Sequence, residues 1–131
     1  MNARIRDPAT MDGAATRSVQ RRDADGMRSV RDDVACEVPI ALHYNDSPFA
    51  VLMATPCDLA DLALGFSLSE ALIADAGELR IDAVDESVDG IAIRMRIPDA
   101  RDAALANRQR NLPGYGSCGV CGSADIDAVL R

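Results

Sequence analysis

From Ala35 to Met53 the residue pattern leaves little choice but a β-hairpin. Cys36, Val38, Ile40, Leu42 and Tyr44 alternate with Glu37, Pro39, Ala41, His43 and Asn45. A period of two places the first set on one buried face of a strand. Asn45-Asp46-Ser47-Pro48 is a turn. Phe49-Ala50-Val51-Leu52-Met53 then runs without a polar residue, as a strand buried on both faces does. Pro39 has no N–H to give to a ladder, which predicts an edge strand or an N–H directed away from its neighbour.

Past the hairpin the period changes. Thr55-Pro56-Cys57-Asp58 predicts a helix start, with Thr55 as N-cap, Pro56 in the first helical position and Asp58 at N3. Leu59, Leu62, Ala63, Phe66 and Ile73 fall on one helical face, and Asp61, Ser67 and Glu70 on the polar side. Gly77 is the expected C-cap. Gly65 inside the helix costs about 1 kcal/mol against Ala, which the close approach of another backbone would explain. Leu79 to Val84 predicts a third strand and Asp89-Gly90 a tight turn. Ile91, Ile93, Met95 and Ile97 form the buried face of a fourth strand, ended by Pro98. Asp99 then caps a short Ala-rich helix that runs to about Arg110. The expected fold class is α/β, a mixed sheet with flanking helices, over residues 35–131.

Residues 1–34 hold seven Arg and six Asp with no apolar period, which predicts a disordered tail or, alternatively, an Arg-rich docking arm. The formal net charge of the chain is −7. All the basic residues are Arg, so residues 35–131 carry seven Arg against fifteen acids. An acidic body disfavours nonspecific nucleic-acid binding but still allows a local anion site. No apolar run reaches membrane-spanning length, and the N-terminus lacks a secretory core. A reducing cytoplasm is therefore the expected compartment, where a Cys-x-x-Cys pair points to metal binding or thiol chemistry.

That pair lies in Ser117-Cys118-Gly119-Val120-Cys121-Gly122, with further glycines at 114 and 116. Ser123 can cap a helix beginning at Ala124, and a helix N-terminus favours the thiolate. The residues allow three chemistries. A zinc site needs four N/S ligands, and Cys36, Cys57 and His43 lack knuckle spacing for the other two. A dithiol redox site has the spacing, but its usual context is strand, then long helix, without a preceding glycine-rich loop. A persulfide relay needs a nucleophilic thiolate, a movable arm and a neighbouring thiol, which the glycines and the pair supply. Cys36 and Cys57 are expected to be buried structural thiols, and His43 a solvated or hydrogen-bonding residue.

Glu37-Val38-Pro39-Ile40, Asn45, Pro48, Thr55-Pro56, Asp58-Leu59, Leu62, Gly65-Phe66 and Glu70, followed by Ser117-Cys118-Gly119-Val120-Cys121-Gly122, resemble the formate dehydrogenase accessory sulfurtransferases, the FdhD family. The resemblance runs from about Ala35 to Arg131. It implies a sulfurtransferase that receives sulfur from a cysteine desulfurase as a persulfide on Cys118, with Cys121 as its partner thiol. The acceptor it implies is the molybdenum or tungsten bis-guanine-dinucleotide cofactor, supplied to formate dehydrogenase. It further implies a homodimer, a cytidine-deaminase-like core and no resident metal. Family members continue well past residue 131. The chain is thus expected to be the front part of a larger protein, with its later cofactor-binding motifs absent. The alternatives are a non-functional fragment or a small zinc-binding interaction module.

Overall fold

A computed structural model of the chain describes residues 13–110. Two strands come first, β1 (Ala14–Asp23) and β2 (Gly26–Ala35), paired antiparallel as a separate two-stranded ribbon. Then follow β3 (Val38–Tyr44), β4 (Ser47–Ala54), helix α1 (Leu59–Ser69), β5 (Arg80–Glu86), β6 (Ile91–Arg96) and helix α2 (Asp102–Arg110). Single 3-10 turns occupy Ala76–Glu78 and Asp99–Arg101.

The ribbon corrects the expectation of disorder between residues 14 and 34; residues 1–12 lie outside the described part. Its strands are exposed on nearly every position, so no apolar period betrays them. Polar cross-strand contacts replace it. Arg21 pairs with Asp32 at 2.8 Å, the Thr16 hydroxyl donates to Asp33 at 2.7 Å, and the Gln20 amide donates to Ser29 at 2.8 Å. Gly26, at φ 115°, closes the turn after Asp25, whose N–H donates to the Asp23 carboxylate. The root is held at Gly13, whose carbonyl accepts from the Cys36 N–H at 2.8 Å. Gly13 has φ 75°, and a Cβ there would collide with the Thr55 methyl. Only glycine fits such a position.

The main sheet has the order β4-β3-β6-β5 and is mixed, as expected. β3 pairs antiparallel with β4 and parallel with β6, and β5 pairs antiparallel with β6. β3 is thus an interior strand, not an edge. Pro39 is tolerated because the parallel ladder starts one residue later, at Ile40 opposite Ile91. Val38, Ile40, Leu42 and Tyr44 of β3 join Ile91, Ile93 and Met95 of β6 in the main core. Helix α1 covers that face through Ala63, with Leu59, Leu62 and Phe66 half-buried beside it.

Helix α1 differs from its expected bounds at both ends. Asp58 is its N-cap, in the left-handed region at φ 51° and with no side-chain capping bond. Cys57 N–H bonds the Thr55 carbonyl instead, so Thr55-Pro56 make a turn ahead of the helix. The helix stops at Ser69, well before Gly77. Ala71 takes φ 56°, its N–H bonds the Leu68 carbonyl, and the Leu72 N–H reaches back to Ser67. This is the Schellman stop, made here by alanine. It frees Leu72 and Ile73 to enter the core as loop residues.

No backbone approaches Gly65: a Cβ there meets nothing within 4 Å. The expected close approach is absent, and Gly65→Ala should stabilise the chain by about 0.5–1 kcal/mol, read from the urea midpoint.

The Ala76–Glu78 turn is locked from inside. Asp75 accepts from the Gly77 N–H at 2.8 Å, and Glu78 accepts from the N–H groups of Ala74 and Asp75 and pairs with Arg101 at 2.7 Å. The Ala74 N–H first, and then Arg101, hold the Glu78 carboxyl below its usual range. A depressed folded-state value stabilises the fold above the unfolded pKa and loses that stabilisation as pH falls through the folded value. Urea midpoints should therefore drop as pH falls below 4.5, and Glu78→Gln should flatten that drop. Asp82, lowered by Arg80 first, keeps part of it in the variant.

Candidate functional site

The residues expected to carry the chemistry, Cys118 and Cys121, lie outside the described residues. What the fold shows is how the chain is held up to the point where it runs on towards them. That point is the end of α2. Little apolar surface docks this helix: among its described residues, Leu105 alone packs against the main core. Polar contacts do the rest. Arg101, just before α2, pairs with Glu78, and Asp102 accepts from the Asn45 amide at 3.1 Å. At the other end Arg108 donates to Glu70 at 2.9 Å, and the Gln109 amide donates to the carbonyls of Pro48 and Phe49, each at 3.1 Å.

Glu70 and Ser67 are the residues the helical pattern misassigned. Both fall on the polar side of α1 by periodicity, and both are buried. Ser67 shares a 2.7 Å hydrogen bond with the Tyr44 hydroxyl and donates to the Ala63 carbonyl at 2.7 Å. Glu70 is buried against Arg108. A buried carboxylate or hydroxyl is tolerated only with such partners. Burial first, and the nearby Glu70 carboxylate second, raise the Tyr44 phenol far above its usual value, although its bond to Ser67 acts the other way. Tyr44 is therefore a neutral hydroxyl at any physiological pH. The sequence did carry one signal: a tyrosine on the buried face of a strand needs a partner for its hydroxyl.

A cavity of about 380 Å³ opens between the β3–β4 turn, the end of β6 and α2. Tyr44 and Phe49 line its apolar side, with their rings 5.2 Å apart edge to face. Arg96, Asp99 and Asp102 bring both signs of charge to its rim. Arg96 is oriented by Asp46 at 2.9 Å and Asp82 at 3.5 Å. The volume is within the range of small-molecule sites, about 300–1,000 Å³.

The other two cysteines are free thiols at the root of the ribbon. Cys36 is half-buried in the link between β2 and β3. Cys57 is exposed, not the buried thiol expected, because α1 begins two residues later. His43 is half-buried on β3, on the face of Ala41. Among the described residues, no three His, Cys, Asp or Glu side chains gather where they could share a metal ion. No helix among them is long and apolar enough to cross a membrane.

The model of the FdhD/NarQ family matches residues 35–131. The chain belongs to that family. The match takes in β3 to α2 and continues across Cys118 and Cys121. Family relatives extend it towards the N-terminus. A sulfur carrier protein FdhD from Xanthomonas campestris is 50% identical over 119 residues, 91% of this chain and 42% of the relative. One from Cupriavidus necator is 43% identical over 100 residues, 76% of this chain and 35% of the relative. This chain thus spans about two fifths of the length of the family members it matches. The fold is shared with a solved structure from Desulfotalea psychrophila, described as a candidate formate dehydrogenase accessory protein. It matches at a TM-score of 0.52 and 23% identity, over 66% of this chain and 35% of that one.

Proposed function

We propose that this chain is the cysteine-bearing front part of a sulfur carrier serving formate dehydrogenase maturation. The observation that carries the proposal is the family match through residue 131, which includes the Ser117-Cys118-Gly119-Val120-Cys121-Gly122 segment. The relatives' name, sulfur carrier protein, supports the class of chemistry.

In this reading Cys118 is the sulfur-bearing thiol. Its thiolate attacks the outer sulfur of a cysteine desulfurase persulfide, the donor thiolate leaves, and Cys118 becomes the persulfide. Cys121 then attacks the inner sulfur. A Cys118–Cys121 disulfide forms and hydrosulfide leaves, the two thiols having supplied the two electrons that reduce it. The acceptor substrate is the metal of the bis-guanine-dinucleotide cofactor, molybdenum or tungsten, before its insertion into formate dehydrogenase. The compartment is a reducing cytoplasm, where the pair is returned to the dithiol form. The full-length protein works as a homodimer, and the acceptor site is built with sequence beyond this chain.

The test is to incubate the chain with a cysteine desulfurase and cysteine and to map the added sulfur by mass spectrometry. One extra sulfur on the peptide containing Cys118 is expected. Modification confined to Cys36 or Cys57 would overturn the proposal.

A further inference from the structure

We infer that strand β2 is the edge through which two copies of this chain meet, pairing antiparallel with itself about Val30. This goes beyond the sulfur-carrier reading and owes nothing to its chemistry; for the homodimer named with that reading it supplies a surface, argued from the ribbon alone.

A two-stranded ribbon standing by itself is marginal in water and needs a further strand or a packed face. β1 and β2 are ten residues each and form a sheet separate from the main one. The two edges of the main sheet are blunted. The β3–β4 ladder slips between Leu42 and His43, and β4 carries Pro48; the β5–β6 ladder slips between Ile81 and Ala83. Proline and bulges are how natural sheets keep their edges from pairing. The β1–β2 ladder runs from Ala14 opposite Ala35 to Asp23 opposite Gly26 with neither a slip nor a proline. β1 is partly covered, with Ala15 buried and Val19 half-buried, whereas β2 is exposed everywhere but at the half-buried Val30. The open edge of the ribbon is therefore β2.

Hydrogen bonding fixes which β2 residues face that edge. The Cys36 N–H donates to the Gly13 carbonyl, in step with the ladder. Backbone groups alternate sides along a strand, so Val34, Asp32, Val30 and Arg28 also bond β1, while Asp33, Arg31, Ser29 and Met27 turn their N–H and C=O groups outward. An antiparallel copy must match outward residues with outward residues, so the two-fold axis passes through a residue and not between two. Centred on Arg31, it would set Arg31 against itself. Centred on Ser29, it would leave Arg28 opposite Val30 and Met27 opposite Arg31, with no opposite charges facing. Centred on Val30, it sets Val30 against the partner's Val30 and Arg28 against the partner's Asp32, twice by symmetry.

Val19 lies opposite Val30 in the ribbon, so this register makes one apolar row across four strands, from Val19 to the partner's Val19. The rows beside it carry the charges. Arg28 and Asp32 have room for a second partner: their present contacts, to Asp23 at 3.3 Å and Arg21 at 2.8 Å, leave their side chains 61% and 48% exposed. Opposite charges facing across antiparallel strands stabilise a pairing and like charges destabilise it. The occupant is thus a second copy, because in this register the strand satisfies its own charges.

The test uses the whole chain, kept in reductant so that native thiols form no links. Sedimentation over a range of concentrations should show a monomer–dimer equilibrium. Arg31→Pro removes one outward N–H and no ladder bond of the ribbon, and Arg28→Asp sets like charges against each other at two symmetric places. Each should weaken association about tenfold, with the far-UV circular dichroism unchanged. Register is read separately, by cross-linking with oxidised glutathione in a chain with serine at all four native cysteines. Val30→Cys should cross-link to its own copy, for Cα atoms facing in such a non-hydrogen-bonded pair stand about 4.5 Å apart, within the span of a disulfide. Val19→Cys, three strand spacings or about 14 Å from its own copy, should not. A chain that is monomeric at every concentration overturns the proposal. So does a dimer indifferent to both Arg31→Pro and Arg28→Asp, and so does equal cross-linking at positions 30 and 19. A monomer whose outward β2 amides resist hydrogen exchange would show the edge taken from within the same chain, and it too overturns the proposal. Sulfur loading of Cys118 is untouched by any of these results and is decided by its own experiment.

Discussion

Cys118→Ser should abolish sulfur loading, and Cys121→Ser should leave it. With a desulfurase and cysteine, the wild-type chain is expected to gain one sulfur on Cys118, the Cys118→Ser chain none there, and the Cys121→Ser chain should load at a rate within a few fold of wild type. The asymmetry follows from the roles proposed. A serine hydroxyl is not ionised at neutral pH and cannot attack a persulfide, so Cys118→Ser removes the nucleophile outright. In the proposed role Cys121 acts after loading, by expelling hydrosulfide as the disulfide forms. Its loss should leave the persulfide intact and longer-lived, seen as a slower release of sulfide to a thiol-free buffer. Equal loading of Cys118→Ser and wild type would end the proposal. Reversed behaviour of the two variants would exchange their roles.

Ile93→Ala should lower the stability of the fold by about 2–5 kcal/mol. Ile93 is fully buried in β6, opposite Leu42 of β3 on one side and Val84 of β5 on the other. Removing most of its side chain opens a cavity where the parallel and antiparallel ladders meet, and neither can close it without breaking register. Domains of this size are stable by only about 5–15 kcal/mol, so the variant should melt at least ~10 °C lower. Val88→Ala, at a residue 77% exposed in the β5–β6 turn region, is the matched control and should change stability by less than about 0.5 kcal/mol. Comparable losses at the two sites would mean that the β6 core does not hold the fold together.

The strands β3 and β6 were legible because each writes a period of two, and β4 because its apolar run is unbroken. Val38, Ile40, Leu42 and Tyr44 read as one face, and they form one face. The ribbon was not legible, because Arg, Asp, Ser and Gln hold it through cross-strand pairs that have no hydrophobic period. The end of α1 was misread for a related reason. Gly77 carries the usual stop signal, but Ala71 takes the left-handed conformation, since that places Leu72 and Ile73 in the core. Burial of two large apolar side chains, each worth about 1.5–3 kcal/mol, outweighs roughly 1–2 kcal/mol of backbone strain.

The sequence by itself determined the hairpin from Val38 to Ala54, the alternation of β6, the mixed α/β class and the Cys-x-x-Cys pair with its family. Each is a local pattern, complete within a few residues. Only the tertiary structure decided that Ser67 and Glu70 are interior. Their partners, Tyr44 and Arg108, stand 23 and 38 residues away in the chain. No helical period can register a hydrogen bond that distant, and it is such bonds that turn the polar side of α1 into the seat on which α2 is held.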